Sequence, residues 1–399
     1  MKIFVIGAGV SSLAFCSFLD KFDITVLDSN EFSGRKLLAT GNGRCNFTNL
    51  NLSSENYLEG KKGFVDYSLK NFSNKDLLSY FDYLGVEWVS MPSGRCYPKT
   101  LASKTVRDSL FMKAKDNANF IFGEKVKDID FDKRLIITKD KKFKYDLLVI
   151  ASGGITLKNS GSDGSILKIL KNHTKINDLT YGITNFETKN PLSKRAKGCK
   201  VSAKASLMID GNLIKESTDD IIFQPYGLTG TAILDLSNEI STNLLEGRKV
   251  SLDIDFYPEY KKEGLLKKLE KKAKRFPQRT ISELLVGNIN QKLIIDILKR
   301  AKINKDSKNR KDLVRLVDTL KCLSFDVTRI HDKENAQVSL GGVSLKRIDN
   351  KSMKSKDIAH TFFIGEVMDI AGACGGYNIQ WAFSSAKTLS DYIKEKMNV

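Results

Sequence analysis

The sequence predicts an α/β fold: a Rossmann-type domain built from both chain ends, interrupted by a β-barrel-like domain that carries a helical insert. Three observations predict it. Residues 2 to 20 read as a buried strand, a glycine turn and a helix. Residues 186 to 255 alternate apolar and polar side chains between turn residues, as antiparallel strands do. Residues 261 to 320 switch to apolar residues at helical spacing, before strand-like runs return at Lys321 to Ile330 and Asn335 to Val343. The expected boundaries are 1–185 with 340–399 for the Rossmann-type domain, 186–255 with 319–339 for the barrel-like domain, and 256–318 for the insert.

The first element is Lys2-Ile-Phe-Val-Ile-Gly7-Ala-Gly9-Val10-Ser11-Ser12, a strand running into G-x-G-x-x-S and then the helix-like run Leu13 to Asp20. Gly7 permits a tight turn, Gly9 lets the backbone approach a pyrophosphate, and Ser12 is small enough for the helix to pack closely on the strand. The second strand, Ile24-Thr-Val-Leu-Asp28, ends in an acid 21 residues beyond Gly7, placed to accept from a ribose hydroxyl. That acid disfavours a 2′-phosphate, leaving NAD or FAD. Two further buried-type strands end in small residues, Tyr145 to Gly154 and Thr361 to Glu366. A cofactor that spans several strand ends fits FAD better than NAD, and no second strand-glycine-helix unit supplies a nicotinamide domain.

The barrel-like domain begins with Lys200 to Ile209, a turn at Asp210-Gly211, and Asn212 to Glu216, followed later by Val250 to Phe256. The insert carries Leu265, Leu266, Leu269 and Ala273, then Ile281, Leu284 and Leu285, then Leu293, Ile294, Ile297 and Leu298, so its lysines fall on solvent faces of short helices.

Composition narrows the function. With 41% apolar and 28% charged residues over 399 positions, the chain affords a sizeable core. No apolar run approaches the roughly 18 residues of a membrane span, and no signal-peptide pattern opens the chain, so a cytoplasmic protein is expected. Six cysteines lie singly without C-x-x-C spacing, and three histidines lie far apart, so no metal site is expected. The net charge of +18 invites a nucleic-acid reading. The insert region 261–320 holds 18 Lys and Arg against 7 Asp and Glu, yet it has one aromatic, Phe276, and so no base-stacking platform.

The stretch Gly34-Arg-Lys-Leu-Leu-Ala-Thr-Gly-Asn-Gly-Arg-Cys-Asn-Phe-Thr-Asn49 resembles the signature of the BaiN-like, aminoacetone-oxidase-type (YhiN-like) flavoprotein family, related to the fumarate reductase flavoprotein group. Further segments resemble the family along the whole chain: Gly94-Arg-Cys-Tyr-Pro98, Ser160-Gly-Ser-Asp-Gly164, Gly341-Gly-Val-Ser-Leu, Gly365-Glu-Val-Met-Asp369 and Gly375-Gly-Tyr-Asn-Ile-Gln-Trp-Ala-Phe-Ser-Ser385. The resemblance implies noncovalent FAD in a domain made from both termini. Motifs and strand ends together give the expected cofactor-binding set: Gly7, Gly9, Val10, Ser11, Ser12, Asp28, Ser29, Arg35, Lys36, Thr40, Gly41, Gly43, Arg44, Cys45, Asn46, Val126, Ala151, Ser152, Gly153, Gly154, Gly365, Glu366, Asp369, Gly375, Gly376, Tyr377, Asn378 and Ile379. Arg44 and the backbone donors at Gly375 to Ile379 are expected to stabilise the reduced flavin.

Phe223-Gln-Pro-Tyr-Gly-Leu-Thr-Gly230 resembles a family segment that reads F-T-H-x-G, but Pro225 stands at the histidine position. The proton partner for hydride transfer at flavin N5 then falls to Tyr226, Arg95 or Tyr377. The expected function is an FAD-dependent oxidoreductase acting on a small organic substrate, a C=C reductase or amine oxidase by resemblance, with NAD(P)H a possible transient electron donor. The alternative is a flavin-containing protein that binds or modifies RNA through the basic insert. Nucleic acid is not the expected partner, and the sequence leaves the oligomeric state open.

Overall fold

A computed structural model describes residues 1–397, which form two compact units, 1–182 with 334 onward, and 183–333. In the first, Lys2–Ile6 (β1) is apolar at four of five positions, which are buried, as a central parallel strand requires. It lies between Asp23–Asp28 (β2) and Leu147–Ile150, all parallel, with Val5 level with both Val26 and Val149. Asn119–Phe122 extends the sheet beside β2, and Thr361–Phe363 extends it beside Leu147–Ile150. The sheet thus takes strands from both chain ends. Helix Val10–Phe18 (α1) crosses from β1 to β2 and packs on Ser103–Asn117 and on the last helix, Tyr377–Met397. Gly7 has φ +98°, and a Cβ there would lie 2.6 Å from the Ala151 carbonyl oxygen, so only glycine lets the first turn sit against the neighbouring strand end.

In the second unit six strands close a barrel in the order Phe186–Thr188, Gly227–Thr229, Asn212–Gln224, Lys200–Ile209, Val250–Asp255, Leu323–Ile330. The Asp210-Gly211 turn has φ +49° and +85°, positive at both central residues as the tight hairpin turn demands. Every second residue of Ala203, Ala205, Leu207 and Ile209 is fully buried. The basic segment forms helices Lys262–Arg275, Ile281–Leu285, Gln291–Arg300 and Arg310–Lys321. Its Leu265, Leu293, Ile297 and Leu316 share one hydrophobic core with the barrel's Leu252 and Phe325. The insert is therefore continuous with the barrel rather than a third body.

One expected strand lies elsewhere. Val338–Val343 pairs with Ile176–Gly182 in the first unit, not with the barrel, so the first unit resumes at 334 rather than 340. Its alternation suits either sheet, and periodicity alone does not choose a partner.

Candidate active site

At the N-terminus of α1 the cap residue is Gly9, which offers no side-chain acceptor to the first-turn amides of Val10, Ser11 and Ser12. A Cβ on Gly9 would meet nothing within 4 Å, so the space in front of these donors is open. Gly365, at φ +74°, closes one side, where a Cβ would come within 2.5 Å of the Ser11 hydroxyl. Beside this turn Asp28 is held from both oxygens. Oδ2 accepts from the Ala8 amide at 2.6 Å, and Oδ1 accepts from the Asn30 amide and side chain at 2.7 and 2.8 Å. Asn30 also donates to the Ser160 carbonyl, and Arg35 donates to Asn30 Oδ1. Ser29 is exposed next to them, and Val126 is buried.

Lys36 leaves helix Arg35–Ala39 (α2) to meet Glu366 at 2.6 Å and the Thr156 hydroxyl at 2.7 Å. Glu366 also accepts from the Ser339 amide, while the Ser339 hydroxyl accepts from the Ile155 amide. This cluster ties four distant segments together beneath Ala151, Ser152, Gly153 and Gly154. A Cβ on Gly154 would lie 2.1 Å from Ser339 Oγ, and one on Gly153 2.9 Å from Ser162 Oγ. Asp369, three residues after Glu366, accepts from Asn177 at 2.6 Å, and burial raises its carboxyl above the usual range.

The glycine-rich loop is wound left-handed at Gly41, Asn42, Gly43 and Cys45. Thr40 anchors it by accepting from the amides of Gly43 and Cys45. Cys45 is fully buried and burial pushes its thiol up to about 12, so it is inert near neutral pH. Opposite this loop Gly376 has φ +98°, and a Cβ would strike the Thr48 carbonyl at 2.6 Å. Asn49 donates to the Gly375 carbonyl, Gln380 accepts from Thr48, and Asn378 brackets Gly372 with two hydrogen bonds. Ile379 is buried. Arg44 is exposed, with its guanidinium 5.5 Å over the Tyr97 ring and its Nε on the Gly41 carbonyl.

FAD fits these residues on a separate test. Buried side-chain oxygens on Ser12, Ser33, Asn46 and Ser162 find no hydrogen-bond partner in the protein and lie in or directly beside the segments assigned to the cofactor, although such oxygens also occur elsewhere, as on Thr188, Ser241 and Tyr257 of the second unit. Buried hydroxyl and amide oxygens are normally satisfied. A polar dinucleotide would hold Ser12 at its diphosphate end and Asn46 at its ring end.

The three expected proton partners stand in different settings. Arg95 is half-buried on Arg95–Pro98 in the first unit. Tyr377 is buried edge-on against Tyr57, whose hydroxyl donates to the Tyr377 carbonyl. Tyr226 lies in the second unit, stacked on His331 with ring centroids 3.4 Å apart. Glu187 Oε1 lies 3.0 Å from His331 Nδ1, and its Oε2 accepts from Arg329 at 2.7 Å. Arg329 first and then His331 hold the Glu187 carboxyl below the usual range, while burial and then Asp332 hold the Tyr226 hydroxyl above it. His331 and Glu187 were not in the expected set: no motif marks either, and 105 residues separate His331 from Tyr226. Among the described residues no three His, Cys, Asp or Glu side chains assemble a metal site, and no helix is long and apolar enough to cross a membrane.

Residues 1–391 match the HI0933-like protein Rossmann domain family, and the chain belongs to it. It is 27% identical over 397 residues to a 3-dehydro-bile acid delta(4,6)-reductase of Clostridium scindens, covering 96% of this chain and 97% of that one. It is also 27% identical over 401 residues to a ribosomal RNA dihydrouridine synthase of Escherichia coli, covering 96% and 95%. Among solved structures it resembles a flavocytochrome c3 fumarate reductase, at TM-score 0.45 and 15% identity, with 99% of this chain and 78% of that one covered. A 3-ketosteroid-delta4-(5alpha)-dehydrogenase of Rhodococcus jostii gives 0.45 and 12%, with 98% and 96% covered. The protein is an FAD-dependent oxidoreductase.

Proposed function

We propose that this member of the HI0933-like family reduces a carbon–carbon double bond conjugated to a carbonyl. The observation that carries this is the near end-to-end match to two relatives whose names share one chemistry. A delta(4,6)-reductase saturates C=C bonds beside a 3-oxo group, and dihydrouridine is uridine with its C5=C6 bond, conjugated to the C4 carbonyl, saturated. FAD, when bound, supplies the hydride. Asp28 and the α1 amides hold the ribose and diphosphate, and the loops 41–46 and 372–379 hold the ring end.

The carbon beside the carbonyl then needs a proton. In the second unit Tyr226 and His331 carry groups able to donate one. Burial keeps the Tyr226 hydroxyl protonated at neutral pH, and Glu187 fixes the His331 ring by accepting from Nδ1, leaving Nε2 to donate when the imidazole is charged. Arg329 keeps Glu187 ionised, so the carboxylate orients the ring without taking the proton.

A second reading, in which the double bond belongs to uracil in RNA, is favoured by the +18 net charge, which draws a polyanion. The test is anaerobic: reduce the FAD-loaded protein, mix it separately with a 3-oxo-4-ene steroid, a uridine-rich RNA and an amine-derived imine, and follow return of the oxidised flavin spectrum. Reoxidation by a conjugated C=C compound with formation of the saturated product is expected. Reoxidation by the imine alone sinks the C=C reading. With NADPH and with NADH as donors, the faster reductive phase identifies the natural one. His331→Asn should slow turnover while FAD content stays unchanged.

A further inference from the structure

We infer that a cationic cavity in the first unit binds the phosphodiester backbone of a polynucleotide. The cavity, of about 550 Å3, is lined by Gly60, Lys175, Asn177, Ser344, Lys346 and Arg347. Lys175 and Asn177 stand at the start of strand Ile176–Gly182; Ser344, Lys346 and Arg347 follow its partner Val338–Val343; and Gly60 follows Tyr57–Glu59, so three chain segments far apart in sequence converge on it.

The lining holds three cations, an amide, a hydroxyl and a glycine, and no carboxylate. Among the described residues Lys175 and Lys346 meet no acidic partner. Arg347 reaches Asp357 only at 3.7 Å, and Asp357 already accepts from Thr174 at 2.7 Å. The acid behind the wall, Asp369, accepts from the cavity's own Asn177 at 2.6 Å, and its backbone carbonyl accepts from the Gly60 amide. Lys356 adds an ammonium by donating to the Lys346 carbonyl, and exposed Lys61 and Lys62 follow Gly60 directly. Arg347 has Asp357 and Lys356 has Asp349 nearby, but among the described residues Lys175 and Lys346 have no such neighbour, and an oxyanion that accepts from lysine, guanidinium, amide and hydroxyl together relieves their mutual repulsion.

Two features choose a polynucleotide over a small phosphorylated ligand. Lys175, Lys346 and Arg347 are exposed, so a lone anion there is screened and weakly held, whereas a strand that touches several such points along a +18 protein accumulates affinity through counterion release. No aromatic ring lines the cavity, so it offers no base stacking and grips the backbone irrespective of sequence. The polynucleotide source rests on the RNA reading above; the anion site itself does not.

The test uses the FAD-loaded full chain and a fluorescent oligouridylate, with anisotropy titrations over a range of salt. The triple variant K175Q/K346Q/R347Q should reduce the slope of log K against log salt by about 2, the single-strand value for three contacts, with FAD content unchanged. The matched variant K267Q/K271Q/K274Q, on the helix of the other unit, should reduce it less. An unchanged slope in the cavity variant overturns the assignment. So does saturable binding of inorganic phosphate or NADPH that K346E abolishes and the oligonucleotide does not displace, since that marks a small-anion site. Oligonucleotide binding that follows the cavity while uridine is never reduced upholds the cavity and removes RNA as substrate. The two failures are thereby distinguishable.

Discussion

Replacing Asp28 by Asn tests the cofactor assignment at the residue on which it most depends. A carboxylate has about four acceptor sites. Asp28 spends three of them on Ala8 N, Asn30 N and Asn30 Nδ2, at 2.6, 2.7 and 2.8 Å, which leaves one for a ribose hydroxyl. Asn at this position keeps one acceptor oxygen and turns an NH2 toward either the Ala8 amide or the ribose, so one donor faces another. Losing a hydrogen bond to a charged group amounts to about 1.5–3 kcal/mol, or roughly a 10- to 150-fold rise in the Kd for FAD. The assay is fluorescence titration of FAD into apoprotein, with urea unfolding of the apoprotein run in parallel. Asn30→Ala is the control: it removes one donor to Asp28 and the link to Ser160 but leaves the carboxylate, so it should lower apoprotein stability while changing the Kd far less. A D28N protein that binds FAD as tightly as wild type would refute the ribose assignment.

Glu366→Gln keeps one amide oxygen for Lys36 but removes the charge that pairs with its ammonium, which is about one quarter exposed, and should cost about 1–3 kcal/mol in urea unfolding; adding Lys36→Met should recover part of the loss, and no recovery means the pair is not coupled. Iodoacetamide at pH 8 should label exposed Cys322 in the native protein and leave Cys16 and Cys45 unmodified until unfolding, because burial raises both thiols from 9.0 to about 12. The same shifts make the unfolded chain release its protons first, so Tm should fall as pH rises from 9 toward 12; a flat Tm across that window contradicts the burial of these thiols. Gly227→Ala would put a Cβ 2.3 Å from the Phe186 carbonyl and should slow turnover while FAD binding is kept; equal loss of both would mean the damage is global.

The dinucleotide half of the molecule is legible in sequence because its signals are local. Strand, turn, helix and acid follow one another within residues 2 to 28, and each keeps its role in the fold. What the sequence hides depends on distant pairing. The Lys36–Glu366 contact joins residues 330 positions apart, and only the parallel sheet built from both termini brings them within 2.6 Å. The strand Val338–Val343 misleads for a related reason: alternation reveals a half-buried strand but not which sheet receives it. A basic residue inside a cofactor motif likewise carries no information about which way its side chain leaves the loop, and Arg44 leaves toward Tyr97.

Barrel closure accounts for the grouping of Tyr226, His331 and Glu187, proposed above as proton donors, in the same terms. Phe186–Thr188 is the strand that closes the barrel, pairing with Gly227–Thr229 on one side and Leu323–Ile330 on the other. Glu187 therefore sits opposite Arg329, with Gly227 on its other flank, while the Tyr226 carbonyl accepts from Thr188 and the His331 amide donates to Asn185. Gly227 has room for no side chain against this seam, and its closeness to Phe186 sets Tyr226 beside the ring of His331. Glu187 on its strand, Tyr226 in the turn before Gly227–Thr229 and His331 just past Leu323–Ile330 thus meet only when the barrel is closed. Pro225 removes a histidine from the local segment, and the seam supplies one from a strand end more than 100 residues further along the chain. A proton donor assembled in this way leaves no motif in the sequence, because its parts are set by strand order and register rather than by spacing.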